Sequence, residues 1–391
     1  MFPTIGDLIF YLFHIRIGFP IQTLGFFMAM AFLLSYMVFT SEFKRYEALG
    51  KISSFKRKVV IGKPASSAEM IINFLPGFLF GFKLFGAVFN YQVFAANPRA
   101  YIISLQGNLT AGVLIGGAFV FWIYSDRKKF ALPKPETTEY TVHPYQLMGL
   151  IVFSVAFFGF IGAKLFDVVE HFGRLMYDPL GTLFSANGFA YYGGLIFGAL
   201  TYLYIGHRHK MKLIHLADIG SPGMMLAYGI GRIGCQLAGD GDWGKVNVHL
   251  KPGFLSWLPD WMWAFNYPHN AINSGTFIPG CLGNYCNQLA NSVYPTPFYE
   301  VVLCIGMFLL MWVFRKRIVT PGCMFFLYLV LNGAERFLIE QIRINPVYHV
   351  LGLPFTQAGF IGFLMLMGGL TGFATVLIKH KSHHHKHLPV L

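Results

Sequence analysis

The chain has 391 residues, of which 55% are apolar and only 12% charged; with a positive mean hydropathy, that composition excludes an ordinary soluble domain and points to a polytopic membrane protein. The formal net charge of +13 would suit a nucleic-acid partner, but the basic residues stand in short patches beside apolar segments, as membrane topology requires, so no nucleic acid is expected. Five cysteines are too few for a disulfide scaffold.

Met1 to Arg16 lacks a basic start and an A-x-A cleavage site, so the first apolar helix is expected to stay in place. Apolar segments long enough to span, or nearly so, fall at about 18–39, 70–95, 109–124, 146–170, 189–206, 214–236, 296–314, 321–341 and 355–378. Basic residues follow alternate segments: Lys44 to Lys63, Arg127 to Lys134, Arg208 to Lys212, Arg315 to Arg317, and Lys379 to Lys386. Those loops read as cytoplasmic. The expected fold is therefore an all-α polytopic membrane protein, one membrane-embedded domain over 1–391 with about nine transmembrane helices. Its N-terminus is outside, its C-terminus is cytoplasmic, and residues 237–295 form a sizeable outer-face loop.

Residues 81–129 align without a gap on 162–210 at a constant offset of 81 positions. Gly81, Lys83, Leu84, Phe85, Pro98, Ser104, Gly107, Gly112, Leu114, Ile115, Gly117, Ala118, Arg127 and Lys129 meet the same residue in the second stretch. Matched Lys, Pro and Gly positions favour duplication over chance likeness of apolar segments, making about 70–130 a copy of about 151–211. Only the second copy carries polar rings at its second helix start, Tyr191-Tyr192-Gly193-Gly194 against Thr110-Ala111-Gly112-Val113. Lys164 and Asp167 (i, i+3) share a helical face and form a self-neutralising pair; Lys83 lacks that carboxylate and is expected to snorkel.

The stretch Ala227 to Gly244, A-Y-G-I-G-R-I-G-C-Q-L-A-G-D-G-D-W-G, drives an arginine into an apolar run and then breaks the helix. An Arg at the centre of a spanning helix costs roughly 2.5–3.5 kcal/mol on insertion scales, which marks Arg232 as a functional residue over a snorkelling one. The outer loop holds Trp243, Trp257, Trp261 and Trp263, residues that anchor at headgroup depth. Cys281 and Cys286 share this loop and would bridge if it faces an oxidising compartment. At Tyr294 to Glu300, Y-P-T-P-F-Y-E, Pro297 suits the first turn of a helix, and Glu300 one turn in is open to two readings, a helix-end charge or a substrate-side group. Asn332 to Arg343 places Arg336 and Glu340 at i, i+4, and Glu340 and Arg343 at i, i+3, in a segment too apolar for a surface ladder. His143, His207, His209 and His215 map to the cytoplasmic side, far from Arg232, and the tail K-S-H-H-H-K-H reads as a solvated or lipid-facing end.

Two intramembrane arginines with carboxylates and a glycine-loosened backbone describe a site for an anionic headgroup, since a guanidinium grips phosphate in two-pronged fashion. Here the sequence resembles a known family. G-R-I-G-C-Q-L-A-G-D-G-D-W-G (231–244) is similar to the signature G-R-x-G-N-x-x-N-G-E-x-x-G of bacterial prolipoprotein diacylglyceryl transferases. Y-Y-G-G (191–194), Y-P-T-P-F-Y-E and G-A-E-R-F-L-I-E-Q-I-R (333–343) resemble that family's H-G-G, H-P-x-Q-L-Y-E and G-x-x-R-x-x-x-E-x-x-R in the same order, over about residues 145–378 plus the first helix.

The resemblance implies transfer of the sn-1,2-diacylglyceryl group of phosphatidylglycerol to the lipobox cysteine of a prolipoprotein signal peptide, in the bacterial cytoplasmic membrane with the site toward the outer leaflet. By motif position Arg232 would grip the lipid phosphate and Arg336 would stabilise the leaving group, with Glu340 and Arg343 orienting it. Gly244 would admit the headgroup, and Asp240 stands where the family has Glu. Asp242, Trp243, Glu300, Gly193 and Gly194 complete the expected substrate-side set; no cofactor and no metal ion is expected. The departures bear on the base. Tyr192 stands at the His of H-G-G, and a phenol with a pKa of about 10 is a weak base at neutral pH. Cys235 and Ala238 replace two Asn, Gly241-Asp242 adds a residue before Trp243, Lys164 stands at a usual Arg position, and Tyr294 replaces His. Asp240 or Asp242 is then the expected proton acceptor, unless Arg232 lowers the thiol pKa enough to dispense with one. Two other readings compete, a catalytically silent relative that binds anionic lipid or the signal segment, and a small-molecule transporter. The repeat suggests the latter but leaves the arginines outside it.

Overall fold

The computed structural model describes residues 1–15, 21–96, 98–184, 188, 190–350 and 353–385. Residues 18–20 of the first expected helix, Ser185 of the repeat and the tail from Lys386 lie outside them. In chain order the helices are α1 (Ile5–Phe13), α2 (Thr23–Ala48), α3 (Ser67–Phe89), α4 (Tyr91–Ala96), α5 (Pro98–Ile103), α6 (Leu109–Lys129) and α7 (Met148–Glu170). They continue as α8 (Phe172–Tyr177), α9 (Pro179–Phe184), α10 (Tyr191–Arg208), α11 (Leu213–Ala238), α12 (Thr296–Phe314), α13 (Cys323–Glu340) and α14 (Gln357–His385). Three two-stranded antiparallel sheets join them: β1 (Phe55–Ile61) with β2 (Glu136–Val142), β3 (Thr276–Phe277) with β4 (Asn287–Gln288), and β5 (Val347–Val350) with β6 (Leu353–Thr356). The all-α expectation is corrected to mostly α, because Thr, Tyr and Val in 136–142 and the Val-Val-Ile end of 55–61 are strand formers that pair across the chain.

Among the described residues, six helices are long and apolar enough to cross a membrane: α2, α3, α6, α7 with the turn before it, α12 and α14. The other three expected segments are also helical, as α10, α11 and α13. Two of them are more polar for a visible reason. Helix α11 buries His215, Asp218, Ser221 and Gln236, and α13 buries Glu335 and Glu340. Such side chains lie against protein instead of lipid. Lys44 and Arg45 fall inside α2, not after it.

The chain divides into two compact units, Met1–Ile52 with Leu203–Leu391, and Ser53–Tyr202. At the centre of the first lies α11, packed against α2, α12 and α13, while α14 lies along α13. Met225, Cys304, Met311 and Met324 form its buried apolar layer. Toward the other end of these helices, Asp218 accepts from the Gly322 and Phe325 amides at 2.7 and 2.9 Å. Helix α11 thereby satisfies the open amides at the start of α13. Glu42, fully buried, is held there by Arg45 and by Arg315, whose Nε lies 3.0 Å away.

The offset of 81 maps α3, α4 and α5 onto α7, α8 and α9 at both ends of each helix, all in the second unit, and it relates Arg208, the last residue of α10, to Arg127 in α6. Close backbone approach recurs with it. A Cβ on Gly81 would lie 2.6 Å from the Ala111 carbonyl, and one on Gly162 would lie 2.6 Å from the Gly193 carbonyl. The lysines differ. The Lys83 ammonium donates to the carbonyls of Tyr101 and Gln106, each at 2.9 Å, and to that of Ser104. Lys164 Nζ lies 3.9 Å from Asp167 Oδ2, and both are buried. Strands β1 and β2 flank α3 to α6, with Ile61 opposite Glu136 and Lys56 paired to Glu139 at 3.3 Å.

Candidate active site

Helix α11 carries Tyr228 and Arg232 one turn apart on one face, with Cys235 a turn beyond. Gly239, left-handed at φ 66°, ends the helix by donating its N–H to the Cys235 carbonyl at 3.0 Å. Gly241, at φ 103°, then reverses the chain, which only glycine does without strain. Asp240 and Asp242 are thereby folded back over the helix end, where the Asp242 amide donates to Asp240 Oδ1 at 3.3 Å.

Three guanidinium groups meet here. Asp242 contacts Arg232 through Oδ2 and Arg343 through Oδ1. Below it lies Glu300, fully buried one turn into α12. Arg232 Nε is 3.0 Å from Glu300 Oε2, while Arg336 Nη1 and Arg343 Nη1 are each 3.2 Å from Oε1. The Tyr228 hydroxyl donates to the same Oε1 at 2.9 Å and accepts from Arg336 Nη1 at 3.3 Å. Arg336 Nη2 is also 3.9 Å from Glu340 Oε2, and Asn345 donates to Glu340 Oε1 at 2.5 Å. Three positive groups thus face three carboxylates, Glu300, Asp242 and Glu340, the pairing that buried charge requires.

The two loop carboxyls part company. Burial pushes Asp240 above its usual range, and the neighbouring Asp242 charge adds to this. For Asp242 burial acts in the same direction, but Arg232 and Arg343 outweigh it and hold the group below the usual carboxylate range. Cys235, Asp240 and Asp242 bring potential ligand atoms within 4.8 Å of one another. Arg232 Nη1, 3.9 Å from Cys235 Sγ and bonded to Asp242, already supplies positive charge there.

Arg232, Arg336, Arg343, Glu300, Glu340 and Asp242, expected from separate motifs, are brought together, with Asp240 beside them. The packing around the individual positions is as follows. Glu300 makes no cap; it is the hub of the arginines. Helix α13 ends at Glu340, so Arg343 lies beyond it. Arg343 enters a bridge with Gly244, in which Lys245 N donates to Ile342 O at 2.7 Å. Gly244 serves the chain's own packing: a Cβ would stand 2.6 Å from the Ile342 carbonyl and 2.9 Å from Tyr294 Cβ. Trp243 is buried with Tyr267 and Val293, ring centroids 5.1 Å from Tyr267. Tyr192, Gly193 and Gly194 belong to the second unit, in the first turn of α10. Gly193 lets α10 lie on α7, with Phe166 Cβ 2.6 Å from where its Cβ would be. Tyr228 was missed by sequence reasoning, although its i, i+4 spacing to Arg232 signals it. Cys281 and Cys286 are bridged.

A family model described as prolipoprotein diacylglyceryl transferase matches residues 134–375. The chain belongs to this family. The match covers β2 and α7 to most of α14, and α1 to α6 lie outside it. Among its relatives, phosphatidylglycerol–prolipoprotein diacylglyceryl transferase 2 of Clostridium perfringens is 27% identical over 214 residues, 54% of this chain and 72% of the relative. The phosphatidylglycerol–prolipoprotein diacylglyceryl transferase of Actinobacillus pleuropneumoniae is 26% identical over 263 residues, 66% of this chain and 84% of the relative. That of Streptococcus mutans is 27% identical over 237 residues, 60% and 78%.

Proposed function

We propose that this chain transfers the diacylglyceryl group of phosphatidylglycerol to the lipobox cysteine thiol of prolipoproteins, the first step of lipoprotein maturation. The observation that carries this reading is the meeting of Arg232, Arg336 and Arg343 on Glu300 and Asp242. A phosphodiester offers guanidinium groups the same charge and two-pronged geometry as a carboxylate. Fully buried Glu300 holds the arginines from below as a positioning residue. Asp242, with 37% of its side chain exposed, marks the open side, where the lipid phosphate competes for Arg232 and Arg343.

In the reaction the thiol sulfur attacks the glyceryl carbon that bears the phosphate, forming a C–S thioether as the C–O bond breaks and glycerol phosphate leaves. Arg232 and Arg336 hold the charge that develops on the departing oxygen. The thiol proton goes to Asp240, whose raised carboxyl is the better acceptor; Asp242 is held too acidic by its two arginines. From Asp240 it passes to the departing phosphate.

The membrane placement belongs to the same proposal. All nine long helices cross, α10, α11 and α13 shielded by their neighbours, with the N-terminus outside and the site toward the outer leaflet of a bacterial cytoplasmic membrane. The alternating basic patches support this orientation, and so does the Cys281–Cys286 bridge in the 237–295 loop. Residues of about 70–130 are proposed to be a duplicate of the helix pair at about 151–211. Incubating the purified protein with phosphatidylglycerol and a synthetic lipobox peptide tests the activity. The peptide is expected to gain the mass of a diacylglyceryl group; tight lipid binding with no adduct overturns the enzyme reading.

A further inference from the structure

Strands β1 and β2 leave the same end of the α3–α6 pair. Leu132 N donates to the Gly62 carbonyl at 3.2 Å, and Arg127 near the end of α6 pairs with Glu69 in the first turn of α3. Both helices are long and apolar enough to cross a membrane, so the ribbon starts at a membrane boundary. Its strands pack chiefly on each other, and residues 56–60 and 136–141 are all exposed. A two-stranded ribbon alone is marginally stable in water. The pairing sorts its side chains into two faces. Val59, Ile61, Tyr140 and Val142 share one face with Arg57, and Glu136 stands at its end. Val59 and Tyr140 are 39% and 48% exposed, apolar area left open. The other face carries Lys56, Lys58, Val60 and Glu139. Over residues 53–63 and 128–142 seven basic side chains stand against two acidic ones, and Lys56 already engages Glu139. Membrane topology asks for basic residues at such a boundary, but not for apolar ones alternating with them along a paired strand.

We propose that the β1–β2 ribbon is a docking surface for anionic lipid headgroups. In the orientation proposed above it lies on the cytoplasmic leaflet, with Val59 and Tyr140 at headgroup depth and Arg57 beside them against lipid phosphates. Lys56 and Lys58, on the far face, stay within the screening length of about 8 Å at physiological salt, and their long stems reach around the ribbon's edge. The excess of basic charge selects anionic over zwitterionic lipid. The inference rests on α3 and α6 crossing the membrane, and not on the transferase reading.

The test is amide hydrogen exchange of the full-length protein in nanodiscs of phosphatidylcholine alone or of phosphatidylcholine with phosphatidylserine, an anionic lipid that is not the proposed donor. Exchange within 55–61 and 136–142 is expected to be at least about tenfold slower with the anionic lipid. The difference should shrink in about 1 M salt, where screening shortens to about 3 Å. Lys56→Gln combined with Arg57→Gln and Lys58→Gln is expected to exchange at the fast rate in both lipids. Val59→Thr with Tyr140→Thr keeps strand-forming residues, serves as the second variant if the first misfolds, and is expected to lose most of the lipid dependence. Equal wild-type rates in the two lipids, as an acidic protein partner in place of lipid would give, overturn the proposal. So does a triple variant, folded by the exchange of α12 and α13, that keeps the full lipid dependence. Fast exchange throughout α3 and α6 overturns their membrane placement first, and the proposal with it.

Discussion

Arg232 and Arg336 hold opposite oxygens of one carboxylate: Nε of the first lies 3.0 Å from Glu300 Oε2, and Nη1 of the second lies 3.2 Å from Oε1. Helices α11 and α13 are thus joined through a side chain of α12. Removing that charge leaves buried guanidinium groups uncompensated, a loss of about 3–5 kcal/mol for one broken partner in a buried network. Glu300→Gln should lower the unfolding temperature in detergent clearly and abolish adduct formation. Wild-type stability in this variant would mean that the arginines find other partners.

Asp240 should govern the acid limb of activity. A proton acceptor works only when ionised, and burial raises this carboxyl. Activity is therefore expected to fall as pH drops through a value above the usual aspartate pKa of about 3.9. Asp240→Asn should reduce kcat by about a hundredfold or more and remove that limb. Full activity across pH in this variant would return the role to another group.

Asp242 has the opposite sign. Its folded-state carboxyl is held down by Arg232 and Arg343, so the stability it adds is present above the unfolded aspartate pKa and disappears as pH falls through the lower, folded one. Asp242→Asn should therefore weaken acid sensitivity, measured as unfolding temperature against pH, and move the acid limb of kcat to lower pH without removing it, because the Asp242 charge helps to raise Asp240.

Arg336→Lys keeps the charge but loses the planar fork that reaches Tyr228, Glu300 and Glu340 together. A fall in kcat of on the order of a hundredfold is expected, as for loss of one donor to a developing oxyanion. A change confined to KM would place Arg336 in ground-state binding.

Gly244→Ala should act on folding before chemistry. Its Cβ would meet the Ile342 carbonyl at 2.6 Å, and backbone cannot yield there without opening the Gly244–Arg343 bridge. A cost of about 1–3 kcal/mol is expected, visible as a lower unfolding temperature with Arg343-dependent activity impaired. An unchanged melt would show that the strand slides freely.

The sequence revealed the main helices because long apolar runs need little context, and it flagged Arg232 and Arg336 because charge inside such runs is costly. Glu300 was half legible. Its place one turn into α12 was right, but helix-end electrostatics gave an adequate local explanation that the tertiary contacts override. The i, i+3 spacing of Glu340 and Arg343 presumes a helix that stops at Glu340, and beyond that end the Arg343 side chain reaches Asp242 and Glu300. Glu335 stood unremarked beside Arg336, since burial by tertiary packing leaves no local trace in the sequence. Strands β1 and β2 escaped because their pairing spans a whole helix pair, beyond the reach of any short window.

The ribbon of β1 and β2 has a consequence for how this chain tolerates change. With Ile61 directly opposite Glu136, the path leaves and re-enters at neighbouring points, so everything between them behaves as a cassette spliced at one seam. Shortening, exchanging or excising it requires only a tight turn in its place.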